Sequence, residues 1–270
     1  MKRFSIGVII AVCYMAAMIG CAPVAITGKA KVQQDSFGAK KQFAVVTIAS
    51  VKDFHGEKGI TQMFKKTDDI PGANTQPILD QLSPKIIKTL EKSEHFKLVP
   101  ESKVLASKAY KRINEDERTQ KVLIKNIDLN VAKNYKYVST PEKLAELARD
   151  LNVDGVITVV MNFSITSGKS WLSVAGLTVG KKEYSVIASI SALAYDQDGE
   201  LIWKDTAIKQ AEPGDKKAIV LLDFTDLTKT NFTKLHPSAI TIGNKAVDVL
   251  LARFSSTMEG EKVSIFQKMK

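Results

Sequence analysis

Cysteine is nearly absent: the 270 residues hold two, Cys13 and Cys21, both close to the amino terminus. Nothing further along can build a disulfide framework or a cysteine-ligated zinc site. Histidine is as sparse, and His55, His95 and His236 lie far apart without metal-ligand spacing. They read as surface or turn residues, so no metal and no cofactor is expected. The zinc-protease HExxH, the hydrolase GxSxG and the phosphate-binding P-loop are all missing. The acidic runs Asp68-Asp69 and Glu115-Asp116-Glu117 read as solvated faces, not catalytic carboxylates. No internal repeat of solenoid period occurs. These absences together predict a protein that is not an enzyme and draws its stability from a packed core.

The first residues are rich where the rest is poor. Lys2-Arg3 precede an apolar run from Phe4 to Ile19, which falls short of the ~20 residues that a membrane-spanning helix needs. Small residues follow, completing the three-part shape of a secretory signal. The cleavage region reads Met18-Ile19-Gly20-Cys21. It resembles the lipobox of bacterial lipoproteins, in which the residue after the cut is always cysteine. The resemblance implies that Cys21 receives a diacylglycerol, that residues 1–20 are removed, and that the new amino terminus is acylated. Several acyl chains anchor firmly where one holds only marginally. Ala22 follows the cysteine, where inner-membrane lipoproteins carry Asp; the family rule then implies the outer membrane, with the polypeptide in the periplasm. Cys13 is a small apolar residue of the signal, not a disulfide partner of Cys21.

The chain carries a net charge of +10, and loss of Lys2 and Arg3 with the signal lowers it by two, to +8. Its lysines are scattered and read as solvated loop charge, so no nucleic-acid partner is expected. Residues 21–41 are small, polar and aperiodic, the pattern of a lipidated tether. The remainder, residues 42–270, reads as one periplasmic domain. "QFAVVTIASV" (Gln42–Val51) is a β-branched run typical of a buried strand. A loop spans residues 55–74. A helix follows with Ile78, Leu79, Leu82, Ile86 and Leu90 on one stripe, and Pro84 either kinks it or opens it behind a Ser83 cap. Residues 95–100 suggest a short strand and Ser102 a helix cap; residues 113–137 are charged, with some helical character.

Thr140-Pro141-Glu142 is a helix start, with Leu144, Ala145, Leu147, Ala148 and Leu151 as its apolar face. Residues 153–166 feed a strand. An excursion over 167–180 contains Trp171. Tyr184, Val186, Ala188, Ile190, Ala192 and Ala194 then alternate onto one face of a second strand. Asp196-Gln197-Asp198-Gly199 is a hairpin turn, and "ELIWKDTAI" returns with Trp203 in the core. A loop over 209–235 leads to a terminal helix over 238–258. This order predicts an α/β (α+β) fold, one mixed sheet packed with helices.

The lipobox, "FAVVTIASV", "FKLV", "DLNVDGVI", the hairpin "DQDGELIW" and a terminal helix together resemble the envelope group that includes CsgG, LpoB and the TolB amino-terminal domain. The resemblance implies a non-enzymatic binding or assembly accessory with protein partners. The alternative is a CsgG-like oligomeric secretion channel, a homo-oligomer in which the segments 167–183 and 209–235 would become membrane hairpins. A cell-wall enzyme ranks third. Trp171, Leu172, Val174 and Leu177 are the apolar residues of the first excursion, read either as a hairpin packed on the domain or as an interaction hairpin.

Overall fold

A computed structural model describes residues 30–56, 71–122, 125–170, 173–174, 177–178, 181–211, 219–223 and 231–260. The strands are β1 (Lys31–Val32), β2 (Gln42–Val51), β3 (His55–Gly56), β4 (Lys97–Leu98), β5 (Thr119–Val122), β6 (Lys125–Val131), β7 (Gly155–Ser170), β8 (Ser173–Val174), β9 (Leu177–Thr178), β10 (Lys181–Asp196), β11 (Leu201–Gln210) and β12 (Ile219–Asp223). The helices are α1 (Gln76–Leu90), α2 (Glu101–Ala106), α3 (Lys108–Arg112), α4 (Pro141–Asp150) and α5 (His236–Met258). Among the described residues, ten strands form one open sheet of order β1-β11-β10-β7-β2-β6-β5, with β12, β3 and β4 attached to β10, β7 and β2. The pairs of β2 with β7 and β4 are parallel and the hairpin pairs are antiparallel, so the sheet is mixed. The protein is thus α+β, as the element order predicts.

Alternation decides what each face buries. On β7, Ile157, Val159, Met161, Phe163 and Ile165 share one face with Ala188, Ile190, Ala192 and Ala194 of β10 and Trp203 of β11. Helices α1 and α5 close over this face and form the main core, in which Trp203 and Phe254 approach to 4.6 Å between ring centroids. Ala44, Val46 and Val156 point the other way, onto Val104, Tyr110, Leu144 and Leu147 of α2, α3 and α4. Strand β2 is covered on both sides, and every residue from Phe43 to Val51 is buried. That is why its sequence shows no alternation.

One ion pair lies inside the main core. Arg253 of α5 meets Asp205 of β11 through Nη2–Oδ1 at 2.7 Å and Nε–Oδ2 at 3.0 Å. The two side chains are 5% and 0% exposed.

Three expectations change. Residues 30–41, read as part of a tether, are docked: β1 pairs with Trp203 and Lys204, and Gln34 Nε2 donates to the carbonyls of Thr257 and Met258 at the end of α5. Phe37 stacks on Phe43 at 4.9 Å with ring planes 7° apart. A two-residue strand and one aromatic are too short to register as periodicity. The charged region 113–137 is the β5–β6 hairpin rather than helical. Of the two readings of Pro84, the one that opens a helix behind Ser83 falls away: the residue sits inside α1, which starts at Gln76 with Pro77 second. Proline deprives the Asp80 carbonyl of its helical donor, and the Ser83 hydroxyl supplies one at 3.3 Å.

Candidate functional site

Strands β7 and β10 each run 16 residues, on the order of 50 Å. They pair from Gly155 with Asp196 to Ser170 with Lys182. The predicted excursion over 167–180 is therefore in part a continuation of these strands. Beyond the point where β11 leaves β10, at Gln210 opposite Ile187, β12 takes over the same edge, from Ile219 opposite Ser185 to Asp223 opposite Lys181. The region 209–235, read as a loop, thus contributes a strand to the same ribbon. On the opposite side, β3 pairs with Ser164 and Ile165 of β7. Of the four apolar residues singled out for an interaction hairpin, Trp171 and Leu172 lie outside the described residues. Val174 and Leu177 are register partners in the β8–β9 pair. The lipobox residues Met18, Ile19, Gly20 and Cys21 also lie outside them.

A second feature was not legible in the sequence. A β-bulge at Val46 turns Thr47 onto the same face as Thr158. The Thr47 hydroxyl accepts from Val138 N at 3.0 Å and lies 3.0 Å from the carbonyl of Lys136. This bond, with Tyr110 Oη accepting from Lys136 N at 2.6 Å, pins the segment 136–139 above the sheet. Between that segment and the strands lies a cleft of about 300 Å³, lined by Thr47, Gln120, Tyr137, Thr158, Ser191 and Leu193 among others. No lining residue is charged. On its floor Thr47 is in register with Thr158, and Thr158 with Leu193; beside them Val160 faces Ser191. A smaller recess of about 140 Å³ between α3 and α4 is lined by Arg112, Lys143, Glu146 and Asp150 among others. There Arg112 and Asp150 pair at 3.3 Å.

The acidic run 115–117 proves structural, not merely solvated. The Asp116 carboxylate accepts from Ser139 N at 2.8 Å, Thr140 N at 3.0 Å, Thr140 Oγ1 at 2.9 Å and Lys143 Nζ. It therefore caps α4, whose own Thr140 side chain makes no capping bond. Burial alone would raise its pKa, but the bonds from Lys143, Ser139 and Thr140 outweigh it and hold the carboxyl far below the usual range. A depressed pKa contributes stability above the unfolded value near 4 and loses it as pH falls. Asp116→Asn should cost about 1–3 kcal/mol at pH 7 in urea melts, with the gap to the parent protein narrowing by pH 3. A gap that stays constant with pH would contradict this. Glu115 is similar: it accepts Arg118 at 2.7 Å and Tyr137 N at 2.9 Å.

The histidines remain apart: His55 is in β3, His95 packs edge-on to Phe254, and His236 Nε2 lies 2.9 Å from the Gly72 carbonyl oxygen. Among the described residues no group of three or more His, Cys, Asp or Glu side chains could hold a metal ion, and no helix is long and apolar enough to cross a membrane.

No family model matches the sequence, and no curated protein matches it. Among solved structures, a PelC variant dodecamer from Paraburkholderia phytofirmans is similar at 10% identity, over 84% of this chain and 95% of that one, with a TM-score of 0.25. At that score the overlay assigns neither assembly nor role to this chain.

Proposed function

We propose that this chain is an outer-membrane lipoprotein, anchored through Cys21, whose α+β domain faces the periplasm and serves the envelope as a non-enzymatic binding or assembly module. The observation that carries this reading is the run Met18-Ile19-Gly20-Cys21 behind a short basic and apolar leader. The non-enzymatic part rests on a sequence without hydrolase, metalloprotease or phosphate-binding motifs. Expression in a Gram-negative host with labelled palmitate tests the anchor. The parent protein should take up label and fractionate with the outer membrane, and Cys21→Ala should do neither. Label persisting in Cys21→Ala, or absent from the parent, overturns the reading.

The ribbon supports a second reading, an oligomeric export-channel subunit. Strands β7 and β10 run on past the end of β11, and β12 supplies a third strand beside them, an antiparallel arrangement of the kind that barrel walls are built from. Sizing the detergent-extracted protein separates the two: a ring of many copies favours the channel, and a monomer or dimer excludes it.

A further inference from the structure

The cleft above the sheet has no part in the anchor or the ribbon. We propose that it binds a neutral sugar unit of an envelope glycan. Its lining is uncharged, so a phosphate, an acidic peptide or a basic one would enter without a countercharge. A peptide that binds by strand addition needs a free strand edge. The floor strands offer none in the cleft: β7 lies between β2 and β10, and β10 between β7 and β11. What the floor does offer is side-chain hydroxyls interleaved with aliphatic surface. Thr158 and Ser191, the latter already bonded to Thr206 Oγ1 at 2.9 Å, are each 5% exposed and stand beside Val160 and Leu193. A pyranose ring has the same two characters, hydroxyls on its rim and C–H groups on its faces.

Hydrogen-bonding capacity is left over around this floor. The Gln120 side-chain oxygen, on the cleft wall, has no hydrogen-bond partner among the described residues. The same holds for the Ser189 hydroxyl, 8% exposed and two residues from Ser191 on the same face of β10. Buried polar atoms are nearly always paired, so the Gln120 oxygen on the wall of this uncharged cleft points to a donor brought by a ligand; Ser189 lies outside the lining. A volume of about 300 Å³ lies at the low end for small-molecule sites. It suits one or two sugar rings, not a long segment of chain.

Calorimetric titration of the full-length protein in detergent with chitotriose, cellotriose and maltotriose tests the proposal, with trialanine and inorganic phosphate as competitors. At least one sugar should bind saturably at one site. Thr158→Val keeps the shape and removes the hydroxyl, and should weaken binding roughly tenfold with an unchanged urea midpoint. Leu193→Trp should fill the cleft and abolish binding. Failure of all three sugars to bind at about 10 mM overturns the proposal. So does binding that both variants leave intact, or displacement of the sugar by trialanine or phosphate. Because the cleft and the anchor are tested separately, a negative titration leaves the Cys21 result standing.

Discussion

Arg253→Met is expected to lower the unfolding free energy by about 3–5 kcal/mol, the largest single effect foreseen for this protein. Asp205 is 0% exposed, and Arg253 holds both of its carboxylate oxygens. The backbone N–H of Thr206 donates to it at 2.7 Å and cannot neutralise it. Removing the guanidinium alone therefore strands a charge in the core, between β11 and α5. Replacing both members with apolar residues removes that charge. Asp205→Leu with Arg253→Met should recover most of the loss, since buried pairs exchanged for packed hydrophobic groups are often neutral. Urea denaturation of the single and double variants checks the argument. A double variant no more stable than Arg253→Met would contradict it.

Gly155→Ala should cost about 2–3 kcal/mol although it adds one methyl group. A Cβ at Gly155 would lie 2.6 Å from Phe43 Cε1 and 2.8 Å from the carbonyl oxygen of Tyr195. Neither neighbour can yield easily. Phe43 is completely buried, stacked on Phe37 and 5.3 Å from the Phe96 centroid. Tyr195 belongs to β10, whose register against β7 fixes its backbone. Phe43→Leu in the same background should restore part of the loss by removing the ring. A urea midpoint that Gly155→Ala leaves unmoved would show that the strand ends adjust freely.

What the sequence disclosed was decided by whether the signal is local. The start of α4 at Thr140-Pro141 and the burial of Leu144, Ala145, Leu147 and Ala148 follow from adjacent residues, and the structure has them as read. The alternation from Tyr184 to Ala194 is equally local and assigns one face of β10 correctly. The cap of α4 is not local, because its acceptor is Asp116, 24 residues before Thr140. Strands β1 and β12 were missed because each is short and is held by pairing to a distant partner, and β5 because its Thr-Gln-Lys-Val run has no apolar alternation, although its partner β6 follows directly. The helix expected behind a Ser102 cap starts instead at Glu101, and Ser107 ends it and caps α3 by accepting from Tyr110 N at 3.1 Å. The cleft draws on five separate segments and on serine and threonine, residues common everywhere, so no spacing announces it. Its one sequence-level trace is the polar Thr47 within "AVVTIAS", an otherwise apolar run.

On the proposed anchoring at Cys21, the docking of β1 limits the length of the leash. Cys21 and Lys31 are ten residue steps apart, a contour of at most about 36 Å. Strand β1 runs antiparallel to β11, with Lys31 opposite Lys204 and Val32 opposite Trp203. Followed backwards, the chain therefore leaves the sheet in the direction in which β11 travels, towards the ribbon. Leu193, which pairs with Lys204, lies about 40 Å along β10 from the ribbon end at Lys181. The upper bound on the leash is thus close to the reach of the ribbon. If Cys21 carries lipid as proposed, the bilayer lies within about 36 Å of Lys31, a distance that the length of the ribbon matches.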